Sequence, residues 1–405
     1  MFGWQSADSL INRPCRFLFV LNDLRIGGAE RQALLLARQL KLRGHHPTIL
    51  GLASPGPVIE ICREWGIECH LEQFQDPEKN PFEPQHGDHY VNKMQRLLQR
   101  YRSDILMPFT SLPNVYCGIA WRWSTARICV WNQRDSGLDR MPEPLEQQAV
   151  SSCSGFIANS RSGADFLIQT LRIPAPLVKV CQNGIEPVER LSREAARIAF
   201  DLRRDDFAGV MLGNVRLIKD HETLVRAWER VVERWSGSGG RPVLLLAGHV
   251  QPECESLRTR IESGPLSEYI RFVGYRSDVS TLLSAADIGV FSSHSEGLPN
   301  GVLECMAAAL PMVATDLPGI RECVLPLQYP FLVPPRQPEL FAERILQLTD
   351  PDLRTTLGQE NRRWVESHFS VETLATNTLT AIAEFEKSQR RGSRLGYVWH
   401  WLRGA

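Results

Sequence analysis

The chain has 405 residues, 43% hydrophobic and 23% charged, which at about 150 residues per domain predicts two to three domains and excludes disorder as the dominant state. Its 46 Lys and Arg are matched by 46 Asp and Glu. It therefore lacks the basic surplus of a protein whose main partner is bulk nucleic acid.

Short apolar runs alternate with longer amphipathic stretches, the pattern of βα units on a parallel sheet. In the first half, strands are predicted at 15–21, 48–52, 105–108, 126–130, 155–158 and 178–181. The clearest helix covers 30–42 and is closed by Gly44 at the position just past its end. Asn183-Gly184-Ile185-Glu186-Pro187 follows as a turn-rich linker. The rhythm then restarts, with strands predicted at 208–212, 243–247, 270–273, 288–291 and 312–314. A helix over 223–235 has its apolar face at Leu224, Ala227, Trp228 and Val231. Residues 236–240, rich in Gly and Ser, read as a surface loop, and 373–385 as a last helix. The expected class is α/β: two Rossmann-like domains with parallel sheets facing each other across a cleft. The boundaries are 1–185, 186–372, and 373–405 for a returning helix and tail.

Ten cysteines, none in a Cys-x2-Cys pair, lie in apolar contexts. They read as buried free thiols of a reducing compartment, not as a zinc site. No apolar run reaches the roughly 18 residues of a membrane span, and residues 1–14 lack the order of a signal peptide.

Three loops at predicted strand ends carry the chemistry. His294-Ser295-Glu296-Gly297-Leu298-Pro299-Asn300-Gly301-Val302-Leu303-Glu304 follows a strand and opens a helix. Pro299 suits a first helical turn, and the free N–H groups there form an anion site. Glu296 and Glu304 suit sugar hydroxyls, which donate hydrogen bonds to carboxylates. A helix cap plus a surface glutamate would give the same pattern. Gly27-Gly28 in the first βα turn lets backbone approach a ligand, as any tight turn would. Neither a Gly-x-Gly-x-x-Gly nor a Walker pattern is present. Arg216 and Lys219, in the turn after the strand at 208–212, suit a diphosphate, or are two solvated cations. The one Asp-x-Asp, Asp350-Pro351-Asp352, reads as a break between helices, so no metal site is expected. His221, His249 and His294 stand at strand ends and are read as packed or surface histidines unless a partner is found.

Together these loops make the chain resemble, over nearly its whole length, the retaining GT-B glycosyltransferases of family four (glycosyltransferase group 1), which includes bacterial polysaccharide enzymes. The resemblance rests on Gly27-Gly28-Ala29-Glu30-Arg31, Asn183-Gly184-Ile185-Glu186, the Glu-x7-Glu pair Glu296 and Glu304, and the flanks Val273-Gly274-Tyr275 and Ala314-Thr315-Asp316-Leu317-Pro318-Gly319. It implies that Glu304 binds the ribose of a sugar nucleotide, Glu296 holds the transferred sugar, and Lys219 offsets the leaving diphosphate. It also implies backbone contacts to phosphate or sugar at Gly28 and at Gly297, Leu298, Pro299 and Asn300, with no metal and no cofactor. Two departures stand out. Asn214 occupies the place where the family commonly has Arg five residues before the Lys, and Arg216 lies three before. The family's histidine of the first domain is absent, leaving 109–114 and Asn132-Gln133-Arg134-Asp135 in that region.

The expected activity is transfer of a sugar, with retention, from a nucleoside diphosphate sugar to a hydroxyl, in polysaccharide or glycolipid synthesis. Alternatives are nucleotide-sugar epimerisation on the same fold, which needs no acceptor, and a non-catalytic binding subunit. Lys387, Arg390, Arg391, Arg394 and Arg403, beside Tyr397, Trp399 and Trp401, suit an anionic membrane surface. The expected location is cytoplasmic, peripheral on the inner membrane face, near a lipid-linked acceptor.

Overall fold

The computed structural model describes residues 10–189, 191–236 and 240–402, with side chains as far as 389. Its first sheet holds β1 (Arg16–Leu21), β2 (His46–Gly51), β3 (Glu68–Leu71), β4 (Ile105–Pro108), β5 (Ile128–Gln133), β6 (Gly155–Ala158) and β7 (Val178–Val180) in the order β3-β2-β1-β4-β5-β6-β7. The second holds β8 (Phe207–Leu212), β9 (Pro242–Ala247), β10 (Ile270–Gly274), β11 (Ile288–Phe291), β12 (Met312–Thr315) and β13 (Leu332–Val333) in the order β10-β9-β8-β11-β12-β13. Every pairing is parallel. Parallel strands are covered by helices on both faces, so they read as unbroken apolar runs. β4, β5, β6, β8 and β9 are buried at every position. In β1 the two faces separate cleanly: Phe17, Phe19 and Leu21 enter one core cluster, Leu18 and Val20 another.

The chain forms two units. One runs up to Gly184 and resumes at Val371; the other is Ile185–Ser370. Among the helices are α1 (Gly28–Leu42), α2 (Ser111–Ala120), α3 (His221–Glu233), α4 (Asn300–Ala307), α5 (Pro318–Cys323) and α6 (Val371–Leu402). α6 packs on α1 and places Leu374, Ala375, Ala381, Ile382 and Phe385 in the first unit's core. Its Glu386 accepts the Leu10 N–H at 2.8 Å. Gly155 makes this seat possible, since a Cβ there would lie 2.3 Å from the Phe385 ring.

Two strands escape the sequence reading. β3 is half-exposed at the sheet edge and polar in part, and β13 has two residues. Both sheets reverse their winding, between β1 and β4 and between β8 and β11. The crevice outside the carboxyl ends of strands at such a reversal is where open α/β sheets take their ligands. Residues 237–239 of the expected Gly/Ser loop lie outside the described residues, as do 403–405 and the side chains of 390–402 that carry most of the basic, aromatic tail.

Candidate active site

The reversal in the second sheet fixes the site. Leaving β8, the chain turns at Gly213 (φ +153°). Asn214 Oδ1 accepts the His249 N–H at 3.0 Å, and Val215 bridges to Val250. Asn214 thus ties two loops together and supplies no charge. A single turn, Leu217–Lys219, leads to Asp220 in the left-handed region at φ +45°, where it caps α3 by accepting the Thr223 N–H. Asp tolerates that conformation better than most residues. The loop leaving β11 grips this turn. Ser292 and Ser293 donate their hydroxyls to the Lys219 and Ile218 carbonyls at 2.9 Å, and the His294 N–H also reaches Ile218 O at 2.8 Å. Both serines are fully buried, so the Lys219 backbone is held firmly.

From this support Lys219 Nζ reaches Glu296 Oε1 at 2.7 Å and lies 4.7 Å from the centre of the Phe291 ring. The two side chains are 19% and 10% exposed, so the pair is shielded on most sides yet open to a ligand. Gly297, Leu298 and Pro299 are buried beyond it. Pro299 sits at the cap position of α4, one place earlier than a first-turn proline, and its own side chain makes no capping hydrogen bond. Negative charge is favoured there by the helix dipole. Glu304 lies on the next turn at 6% exposure. Two glycines let these parts meet. A Cβ on Gly301 would stand 2.3 Å from the Leu212 carbonyl, and one on Gly319, in α5, 1.7 Å from that of Gly297.

Lys219, Glu296, Gly297, Leu298, Pro299, Asn300 and Glu304 are therefore gathered on the facing loops of β8 and β11. Arg216 is not drawn into the pair. Its side chain is exposed and makes no ion pair among the described residues. Gly28 belongs to the first unit, exposed, at the start of α1. The three histidines separate. His221 opens α3 and is buried with neither ring nitrogen hydrogen-bonded. Burial first, then the Lys219 charge, pull it down to about 4, against the nearby Arg216 carbonyl. His249 stacks on Tyr275 at 5.2 Å and 3°, after β9 and β10. His294 is exposed, with Nδ1 3.7 Å from Asp220 Oδ2. Sequence reasoning missed Ser292, Ser293 and Asp220 as the supports. The signal was two small polar residues directly after an apolar strand.

In the first unit, Glu30 faces back over Gly27 in the first turn of α1, and burial pushes its carboxyl up to about 7. Thr110, after β4, is held at φ +69°. An open polar hollow of about 610 Å³ lies beyond β2 and β3, lined by Ser54, Gln73, Asp76, Lys79, Asn80 and their neighbours. Among the described residues no three His, Cys, Asp or Glu side chains group as metal ligands. Asp350 instead caps a helix through the Asp352 and Leu353 N–H groups. No described helix is long and apolar enough to cross a membrane. All ten cysteines are free and eight are buried.

Two family models match the chain: Glycosyltransferase Family 4 over residues 26–189 and Glycosyl transferases group 1 over 207–350. The chain belongs to this family of glycosyltransferases. Among curated relatives, the EpsD protein of Bacillus subtilis is 34% identical over 187 residues, 46% of this chain and 48% of that one. The D-inositol 3-phosphate glycosyltransferase of Saccharomonospora viridis is 26% identical over 55% of this chain and 54% of its own. The chain spans between 48% and 62% of the length of the first four curated relatives it matches. Two solved structures share the fold. One is Anabaena HepE in complex with UDP and glucose, with TM-score 0.77, 20% identity, and 91% and 99% of the two chains covered. The other is the sucrose-phosphate synthase of Thermosynechococcus elongatus, with TM-score 0.72, 18% identity, and 96% and 99% covered. The fold is GT-B, two Rossmann-like domains on parallel sheets.

Proposed function

We propose that the protein transfers a hexosyl group from a nucleoside diphosphate sugar to a hydroxyl acceptor, retaining anomeric configuration and needing no divalent metal. The Lys219–Glu296 pair on the two loops of the second sheet's reversal carries this reading. The diphosphate sits between the Lys219 ammonium and the amino end of α4, with Arg216 swinging in from solvent. Lys219 then exchanges a carboxylate for phosphate oxygens, and Glu296 is released to accept hydrogen bonds from the sugar. Glu304 accepts from the ribose. Gly28 and the backbone of 297–300 contact sugar and phosphate. The bond between sugar C1 and the phosphate oxygen breaks and its electron pair leaves with the diphosphate. The acceptor oxygen attacks C1 from the same face, and its proton passes to the departing phosphate. Positive groups fixed where this negative charge grows are the main source of acceleration. HepE was crystallised with UDP and glucose, which supports a sugar nucleotide as donor here.

The first unit serves as the acceptor side, in polysaccharide or glycolipid assembly on the cytoplasmic membrane face, with the basic, aromatic tail from Lys387 as the membrane contact. Incubating chelator-treated protein with sugar nucleotides, with and without acceptor extracts, tests the chemistry. The expected result is acceptor-dependent nucleoside diphosphate release and a retained product. Turnover of donor to an isomer without acceptor would favour an epimerase, and activity recovered only with Mn²⁺ or Mg²⁺ would refute metal independence. Co-sedimentation with anionic and neutral vesicles, full chain against a chain ending at Glu386, tests the tail. Equal binding by both chains refutes it.

A further inference from the structure

Arg134, in the first unit, carries a charge that the transfer chemistry above leaves unused. It follows β5, and its guanidinium lies 4.6 Å from the centre of the Phe109 ring. Phe109 is fully buried. Nη1 donates to Asn183 Oδ1 at 3.3 Å, whereas Nε is sealed from water and donates to nothing. No carboxylate among the described residues pairs with this side chain. Its neighbour Asp135 is turned the other way, accepting from Gln133 Nε2 and the Gly137 N–H, both at 2.7 Å. Burial draws the guanidinium down to about 10, and the group that opposes this is Cys181, itself pushed up to about 11 and so a neutral thiol.

A half-buried guanidinium without a counter-ion works against folding. Here that cost coincides with a place where α/β sheets bind ligands. Arg134 stands over the carboxyl ends of β4 and β5, beside the reversal of the first sheet. Thr110, next to Phe109, holds a left-handed backbone that non-glycine residues rarely adopt, and such conformations gather at ligand sites. Asn159 Nδ2 donates to the Arg134 carbonyl at 3.3 Å, and its Oδ1 is buried without a partner. With Nη1 occupied and Nε sealed, Nη2 is the donor left to meet an oxygen of a carboxylate or phosphate, on a planar guanidinium that suits either.

We propose that Arg134 receives an anionic group, a carboxylate or a phosphate, of the acceptor that the first unit takes. The word acceptor rests on the transfer reading; the anion site does not. The test uses the full chain, as wild type, Arg134→Leu and Arg134→Lys, melted in the presence of inorganic phosphate or of acetate. All three keep Lys219, so a difference among them belongs to Arg134. Wild type should be stabilised by at least one anion, phosphate pointing to a phosphorylated acceptor and acetate to an acidic sugar. Arg134→Leu should bind that anion at least about tenfold more weakly, and without anion should melt higher than wild type. Arg134→Lys, which keeps the charge and loses the planar guanidinium, should lose most of the shift even if the leucine variant does not fold. Equal shifts in wild type and the lysine variant overturn the site and leave sugar transfer standing. Failure of wild type to transfer sugar, with the anion shift intact, overturns only the acceptor's part.

Discussion

Lys219 meets a carboxylate before any ligand arrives, so its ammonium is pre-positioned without being neutralised beyond use. On the proposed reading its contribution grows as the leaving diphosphate becomes more anionic. Lys219→Ala is expected to lower kcat by about a hundredfold or more, with a smaller change in KM. A raised KM at unchanged kcat would assign it uniform binding. On the proposed reading, Glu304→Ala removes a carboxylate that accepts from a ribose hydroxyl, a loss that typically costs about 1.5–3 kcal/mol. Calorimetric titration with the donor's nucleoside diphosphate should show affinity about ten- to hundredfold lower, and unchanged affinity in a folded variant would remove Glu304 from the site. His221 answers to pH in a defined direction. Its folded value near 4 lies below the ordinary 6.5, so the unfolded chain takes the proton first. Its contribution is complete above about pH 6.5 and is lost as pH falls to 4, by up to about 3 kcal/mol. Urea titrations across that window should show the fall in wild type and a flatter curve in His221→Leu. The same slope in both would place the effect on other groups.

Elements show what a sequence displays and what it hides. Eleven of the thirteen strands were legible because burial on both faces leaves an apolar run, and 105–108, 155–158 and 288–291 match the observed strands residue for residue. β3 was not, because an edge strand faces water on one side and alternates only weakly. The Glu296-to-Glu304 segment was legible by its spacing, which brings two carboxylates to one loop and the helix it opens. Its supports were not, since Ser292 and Ser293 act on the Lys219 turn, more than 70 residues away in sequence. Nor could spacing show that Arg216 points to solvent. The glycines at 301 and 319 have structural reasons visible only in three dimensions. Gly301→Ala forces α4 off the end of β8, and overpacking of this kind costs about 1–3 kcal/mol. Thermal melts should register that loss, and KM for the donor should rise because the amino end of α4 moves with it. A variant as stable as wild type with unchanged KM would mean that the Leu212 carbonyl yields without consequence.

At the scale of the whole molecule, the chain leaves the first unit at Gly184 and returns to it at Val371. The second unit is thus an insertion between a sheet and one of that sheet's own helices. α6 supplies Leu374, Ala375, Ala381, Ile382 and Phe385 to the core that also holds Phe17, Phe19 and Ile157. Among the described residues, the second unit's own core draws nothing from α6. Burying a single large aliphatic or aromatic side chain is worth about 1.5–3 kcal/mol, and whole domains are stable by only about 5–15 kcal/mol. Removing three such side chains and two buried alanines at once, with the helix that carries them, therefore takes most of what the first unit can lose. A chain ending at Ser370 should keep a folded second unit and lose the first. Hydrogen exchange followed by mass spectrometry reads this directly: protection should disappear from β1, β4, β5 and β6 and persist in β8, β9, β11 and β12. Protection lost equally from both sheets would mean that the two units fold as one, and protection kept in both would mean that α6 is dispensable to the core it enters.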